Sequence, residues 1–295
     1  MNAAQIGFFI ALGVITLVFA IAWVKAARQG PESNTPTFAA AGVGALTSFL
    51  DTLGIGSFAP TTALFKLFHI VKDELIPGTL NVGLTASGVA ESILFVKSIV
   101  IDPWLLASTL TASVLGAWLG AGVVSRLPRR SIQIGMGVAL LIAAAVFSAY
   151  ALNIMPGGGD ALALSGWKFA VAVGVCFVLG ALMTLGIGLY APCMITLALL
   201  GMTPIAAFPI MMGCCALLQP VAGVRFLKTR RMDFSASLSM TLAGLFGVAI
   251  AYFIVKSLPL QWLRVGVIGV VTYAAVAMLV SARRERALQP AARPA

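Results

Sequence analysis

The chain carries the same helix-breaking motif twice. Residues 52–60 read Thr-Leu-Gly-Ile-Gly-Ser-Phe-Ala-Pro, and residues 184–192 read Thr-Leu-Gly-Ile-Gly-Leu-Tyr-Ala-Pro, 132 positions later. Glycine and proline interrupt helices because glycine costs backbone entropy, and proline lacks a donor and clashes with the preceding turn. Both copies lie inside long apolar stretches. Matching breaks in two halves of such a chain indicate a transport site within a membrane.

Composition supports a membrane protein. The chain is 60% hydrophobic and 9% charged, whereas soluble domains contain about 25% charged residues. Residues 6–24 form an uncharged run that is long enough to cross a bilayer. No basic residue precedes this run, so we predict a retained transmembrane helix rather than a signal peptide. The net charge of +10 lies in short loops, which indicates membrane topology rather than a nucleic-acid partner.

The repeat extends beyond the motif. Pro77 matches Pro209 at the same offset, and Leu127-Pro128 matches Leu258-Pro259 after a one-residue slip. In each half, three runs of spanning length follow a broken stretch, and these runs are 76–98, 103–125, 130–151, 205–226, 234–255 and 260–281. The predicted units are an N-terminal transmembrane helix and loop (1–37), a first repeat (38–151), an extracytoplasmic linker (152–168), a second repeat (169–281) and a basic cytoplasmic tail (282–295).

The broken stretches, 38–70 and 169–200, could each cross the membrane once or return as a helical hairpin. If both return, fifteen Lys and Arg residues lie inside and four outside; if both cross, the split is twelve against seven. The positive-inside bias favours the hairpin. A hairpin plus three crossings inverts the second half. We therefore predict an all-α membrane protein with two inverted-topology repeats after one extra N-terminal helix, with the N-terminus outside and the C-terminus in the cytoplasm.

The breaks are also the predicted binding site. We expect Pro60 and Pro192 to begin helices, whose first turns leave N–H groups unpaired at the positive end of the helix dipole. Such ends bind anions, and inversion would bring the two together at mid-membrane. Asn81 and Gln219 could contact substrate or bond between helices. The predicted substrate-binding residues are Thr52, Gly54, Gly56, Ser57, Pro60, Thr61, Thr184, Gly186, Gly188, Pro192, Asn81 and Gln219.

Two acidic residues, Asp51 and Glu91, lie within apolar segments. An acid in hydrocarbon is costly, which makes both candidates for carrying a coupling proton; the alternatives are that Asp51 caps a helix and that Glu91 pairs with a cation. The four cysteines fit no metal or secreted-disulfide spacing and are interpreted as small core residues. The sequence predicts no catalytic residue, no metal site and no cofactor.

Further motifs extend the pattern: Pro77-Gly78-Thr79-Leu80, and Leu115-Gly116-Ala117-Trp118-Leu119-Gly120-Ala121 leading to Arg126-Leu127-Pro128. Together with the duplicated Gly-Ile-Gly-x-[Phe/Tyr]-Ala-Pro, they resemble the sulfite exporter TauE/SafE family over about 38–281. The resemblance implies a bacterial inner-membrane transporter that exports sulfur-containing anions such as sulfite or sulfonates. We therefore expect a secondary transporter for sulfite or a short organosulfonate such as sulfoacetate, driven by an ion gradient.

Other functions remain open at this stage. The same anions could be imported or pass through a channel. A membrane thiol–disulfide electron carrier would place a cysteine after a proline, as in Pro192-Cys193, but it needs a second cysteine, and Thr61 stands at the equivalent position of the first half. The expected partners are a small anion and the bilayer. Glycine-rich faces at 105–125 and 240–251 could pack within one chain or form a homodimer.

Overall fold

The computed structural model describes residues 3–29, 37–96, 101–152, 154, 159–186, 188–253, 268, 272–273 and 275–283. In these ranges the regular structure is helical, with one isolated bridge between Ala161 and Met202. Five helices are long and apolar enough to cross a membrane. The prediction of an all-helical chain with several membrane helices is therefore confirmed.

The helices follow the predicted apolar runs closely, and a short 3₁₀ turn, Asp73–Leu75, connects α3 to α4. Their bounds are α1 Ala3–Arg28, α2 Phe38–Thr52, α3 Phe58–Phe68, α4 Ile76–Gly83, α5 Thr85–Val96, α6 Pro103–Val124, α7 Arg129–Ala151, α8 Gly166–Met183, α9 Tyr190–Leu199, α10 Pro204–Thr229 and α11 Phe234–Phe253.

One predicted run is divided. The run 76–98 forms α4 and α5, which meet at Leu84; the Leu84 N–H still donates to the Leu80 carbonyl at 3.0 Å, so the helical path continues. Its counterpart in the second half, α10, is one helix despite the internal Pro209 and Pro220. Most of the predicted run 260–281 lies outside the described residues.

The two halves exchange their first helices. The long helix α2 packs along α11 of the other half, and α8 packs along α6. Equivalent residues make these contacts: a Cβ at Gly116 would overlap the Phe177 carbonyl, and a Cβ at Gly247 would overlap the Ala45 carbonyl. The sequence left two uses open for the glycine-rich faces at 105–125 and 240–251, namely packing within one chain or a homodimer. In the structure these glycines pack against helices of the same chain.

An ionic cluster holds the far end of α3. Lys66 Nζ lies 2.7 Å from Asp73 Oδ2, and the Gln133 amide donates to the same oxygen at 2.8 Å. Arg129 Nη2 is 3.6 Å away. Burial raises the pKa of Asp73, but the hydrogen bonds from Lys66 and Gln133 and the charges of Lys66 and Arg129 outweigh it and lower the pKa below its ordinary value. The cluster ties α3 to α7 while Asp73 is ionised.

Candidate functional site

Both duplicated motifs break the chain between two helices. After α2 ends at Thr52, Gly54 and Gly56 adopt φ values of +81° and +94°, and α3 begins at Phe58. In the second copy Gly186 adopts +93° between α8 and α9. Side chains rarely tolerate this left-handed region, which explains why glycine occupies these positions. The broken stretches predicted from the motif are present in both halves.

The two breaks touch each other through equivalent residues. A Cβ built on Gly56 would lie 3.8 Å from the Cβ of Tyr190, and one built on Gly188 would lie 3.9 Å from the Cβ of Phe58. Gly56 and Gly188 occupy the same position of the motif, as do Phe58 and Tyr190. The contact is therefore reciprocal, and it places the starts of α3 and α9 side by side.

The sequence predicted that Pro60 and Pro192 begin these helices, and this prediction was wrong. α3 begins at Phe58 and α9 at Tyr190, so Pro60 and Pro192 are each the third helical residue. Neither N-cap residue, Ser57 or Leu189, caps its helix through a side chain. Each helix start therefore offers the N–H groups of its first two residues, and proline removes the third.

The two acids meet beside the first break. Asp51 in α2 and Glu91 in α5 are 4% and 0% exposed, and their carboxyl groups lie within hydrogen-bonding reach of each other. Ser57 Oγ donates to Asp51 Oδ2 at 2.9 Å, and Thr52 Oγ1 donates to Glu91 Oε1 at 2.9 Å. The sequence analysis identified each acid as a separate coupling candidate and did not predict that the two form a pair.

A third hydrogen bond joins this pair to the second half. The Tyr190 hydroxyl, on the first residue of α9, donates to Glu91 Oε2 at 3.2 Å. In the described part of the chain, neither acid forms a salt bridge. Two buried carboxylates in contact repel each other when no cation is present, so the arrangement favours one proton held between them.

The other predicted site residues have more ordinary contacts. Thr61 Oγ1 donates to Thr47 Oγ1, and Thr184 Oγ1 donates to the Ala181 carbonyl. The Asn81 amide donates to the Pro77 carbonyl of its own helix. The Gln219 side-chain oxygen faces Gly88 of α5, at 2.9 Å from a Cβ built there. The oxygens Asn81 Oδ1 and Gln219 Oε1 are buried and have no hydrogen-bond partner among the described residues, so a contact of these amides with substrate stays a prediction.

Thr62 was missed by the sequence analysis. Its side chain is fully buried, and among the described residues its hydroxyl has no hydrogen-bond partner. That oxygen lies 3.4 Å from a Cβ built on Gly186, so it faces the second break from the fifth residue of α3. The two consecutive threonines after Pro60 were the signal available in the sequence. Which of their hydroxyls faces the second break depends on the rotation of α3 about its axis, and only the structure gives that rotation.

The cysteines are buried free thiols, and three of them touch. The Cys176 side chain of α8 contacts those of Cys193 and Cys214. Cys193 thus has neighbours that the comparison with Thr61 did not reveal, and the sequence argument that it lacks a partner was wrong on this point. No group of His, Cys, Asp or Glu that could hold a metal ion occurs among the described residues.

Comparison with known proteins agrees with the resemblance predicted for the first half of the chain and does not extend to the second copy of the motif. The family model described as "Sulfite exporter TauE/SafE" matches residues 2–147, which cover α1 to α6 and most of α7, including the first break and both acids. Neither the curated proteins nor the solved structures give a significant match. Over residues 2–147, just under half of the chain, the protein matches the sulfite exporter TauE/SafE family of membrane transporters, and its apolar helices agree with this match.

Proposed function

We propose that the protein is a secondary transporter that exports a small sulfur-containing oxyanion, sulfite or a short organosulfonate such as sulfoacetate, across the bacterial inner membrane. The observation that carries this proposal is the reciprocal contact of the two breaks. Two uncapped helix starts lie together within an apolar chain, and their free N–H groups can bind an anion without a lysine or arginine. Thr62 adds a buried hydroxyl that faces the second break.

The proposal includes two inverted repeats, with the N-terminus outside and the C-terminus in the cytoplasm. The exchanged packing of α2 on α11 and α8 on α6 supports equivalence of the halves, and the distribution of basic residues supports the inversion. In this arrangement the two hairpin tips meet near mid-membrane. Movement of the tips against the remaining helices would open the site to each side in turn.

Asp51 and Glu91 are the proposed coupling residues. A proton taken up by this pair on one side of the membrane would be released on the other, in the same cycle that carries the anion. Tyr190 supplies the link, because its hydroxyl bonds Glu91 while its backbone forms the start of α9. A change at the anion site would therefore alter the hydrogen bonding of the acid.

The first experiment is a binding screen on the purified full-length protein. Sulfite, sulfoacetate, sulfate and taurine are added at equal ionic strength, and the melting temperature is recorded. A ligand that binds only the folded protein raises this temperature in a concentration-dependent way. We expect sulfite or sulfoacetate to stabilise the protein and simple amines to have no effect; stabilisation by cations and by none of the anions would refute the anion site.

Transport in liposomes separates the remaining alternatives. A carrier gives saturable flux that responds to an imposed pH gradient, whereas a channel gives flux that rises with concentration and ignores the gradient. Reversal of the gradient reports the coupled direction, and so distinguishes export from import. The thiol–disulfide electron carrier requires a reactive cysteine, and it predicts that Cys193→Ser abolishes activity.

A further inference from the structure

A groove lies between α1, α6 and α10, and none of the described residues that line it belongs to either copy of the broken motif. Its volume is about 510 Å³. Val14 and Val18 of α1 line one wall, and Trp118 of α6 lines another. At one end, three cations line the groove: Arg126 just after α6, and Arg225 and Lys228 near the end of α10. The groove is therefore apolar along its length and positive at one end.

Arg225 is held in place before any ligand arrives. Its guanidinium carbon lies 4.2 Å from the centre of the Trp118 ring, which is a cation–π contact. Gly122 makes room for it, because a Cβ at that position would collide with the guanidinium. In the described part of the chain, no carboxylate forms a salt bridge with Arg225, Arg126 or Lys228. The positive end thus has no internal counter-ion there.

The apolar wall opens to the outside of the protein. Val14 and Val18 are 57% and 53% exposed, and only 17% of the residues in the apolar window of α1 are buried. In a bilayer this face of α1 contacts lipid. The groove therefore joins a lipid-facing surface to a cationic pocket that lies at the helix ends, where phospholipid headgroups are found.

We propose that this groove binds one anionic phospholipid, with its phosphate at Arg126, Arg225 and Lys228 and an acyl chain along Val14 and Val18. Charge selects an anion, and the long apolar wall selects a ligand with a hydrocarbon chain. Basic pockets between membrane helices bind anionic headgroups for the same reason. The site is distinct from the hairpin tips, and the proposal does not depend on the transported substrate.

The test uses full-length protein, delipidated in a neutral detergent. Phosphatidylglycerol, phosphatidylcholine and inorganic phosphate are titrated separately, with bound lipid counted by native mass spectrometry and the melting temperature recorded. We expect phosphatidylglycerol to bind and to raise the melting temperature, and the other two to have little effect. Equal effects of the two lipids would overturn the proposal, and stabilisation by phosphate alone would identify a soluble-anion site instead.

Variants locate the site. Lys228→Ala removes an exposed cation with little risk to folding, and Arg225→Ala removes the stacked one; each should weaken phosphatidylglycerol binding about fivefold. Val14→Trp leaves every charge in place but fills the apolar wall, and it should also weaken binding. Lys25→Ala, an exposed cation in the last turn of α1 that does not line the groove, is the matched control. Unchanged binding in Lys228→Ala and Val14→Trp would refute the assignment.

Discussion

The first break lies beside two carboxyl groups, whereas two equivalent positions around the second break carry sulfur-containing side chains. Met183 stands at the position equivalent to Asp51, and Cys193 at the position equivalent to Thr61. Cys215 Sγ lies 3.7 Å from Met183 Sδ. The duplicated backbone supplies two similar helix starts, but an acid precedes only the first copy of the motif, and the second break reaches Glu91 through the Tyr190 hydroxyl. In the mechanism proposed above, both halves bind the anion, and the acids that carry the proton belong to the first half.

The strongest way to break this comparison is to neutralise the first half. Glu91→Gln keeps the size of the side chain and one of the two acceptor oxygens, which can serve either Thr52 or Tyr190, but it removes the exchangeable proton. We expect flux driven by a pH gradient to fall by more than about tenfold, because a neutral amide cannot take up or release the proton; a tenfold loss corresponds to about 1.4 kcal/mol. Anion exchange without a gradient should persist. Liposome flux with and without the gradient measures the difference.

Glu74→Gln is the control for this variant, because Glu74 lies near Arg129 at a loop, away from both breaks. Its gradient-driven flux should stay within about twofold of the parent protein. If Glu91→Gln and Asp51→Asn both retain full coupling, the proton pathway does not run through the acid pair, and the functional contrast between the halves disappears.

The segments that follow α3 and α9 offer a second contrast, in stability. Asp73 anchors α3 to α7, whereas Ile205 stands at the equivalent position of the second half. Asp73→Asn leaves Lys66 without its partner and should cost about 3 kcal/mol. Because the pKa of Asp73 is lowered in the folded protein, its contribution is present above the ordinary carboxyl pKa of about 4 and is lost as the pH falls below it.

Denaturation at pH 7 and at the lowest pH that the folded protein survives measures this effect. The parent protein should lose stability with falling pH, and Asp73→Asn should show a flatter profile. An equal pH dependence of the two proteins would show that the cluster does not control this end of α3.

A finer contrast lies between the neighbouring hydroxyls Thr61 and Thr62. Thr62→Val removes a buried hydroxyl that has no hydrogen-bond partner in the described part of the chain, so stability should hold or rise. Anion affinity should fall about fivefold, which corresponds to the loss of about one hydrogen bond. Thr61→Val removes the bond to Thr47 and should cost about 1 kcal/mol of stability with a smaller change in affinity. Titration of the melting temperature with sulfite or sulfoacetate reports both quantities, and the reverse pattern would move the site away from Thr62.

The smallest effect is expected in the second half. Cys193→Ser replaces a buried thiol with a similar group, so anion flux should stay within about twofold of the parent protein. Cys176→Ser serves as its matched control, because it removes the other member of the same contact. A complete loss of activity in either variant would favour thiol chemistry over anion transport and would give the sulfur-lined half a reactive function.

Local features of the sequence predicted much of the fold. Apolar run length and the Gly-Pro punctuation located α2, α3, α8 and α9, because helix breaking depends on neighbouring residues alone. The contact between Asp51 and Glu91 was not predictable, since it depends on how α2 packs against α5. The same limit applies to Cys176 and Cys193. The sequence analysis placed the starts of α3 and α9 at the prolines, two residues after the observed starts at Phe58 and Tyr190. Proline is tolerated throughout the first helical turn, so it does not mark one position within it.

The exchanged helices have a consequence for how this chain can be assembled. Because α2 is clasped by α11, and α8 by α6, each half supplies the surface that completes the other. A polypeptide ending after the first half would leave the glycine-rich face of α6 without α8, and it would leave α2 without α11. The linker at 152–168 therefore keeps two interdependent halves close together. The first half cannot complete its packing until the ribosome has synthesised the second.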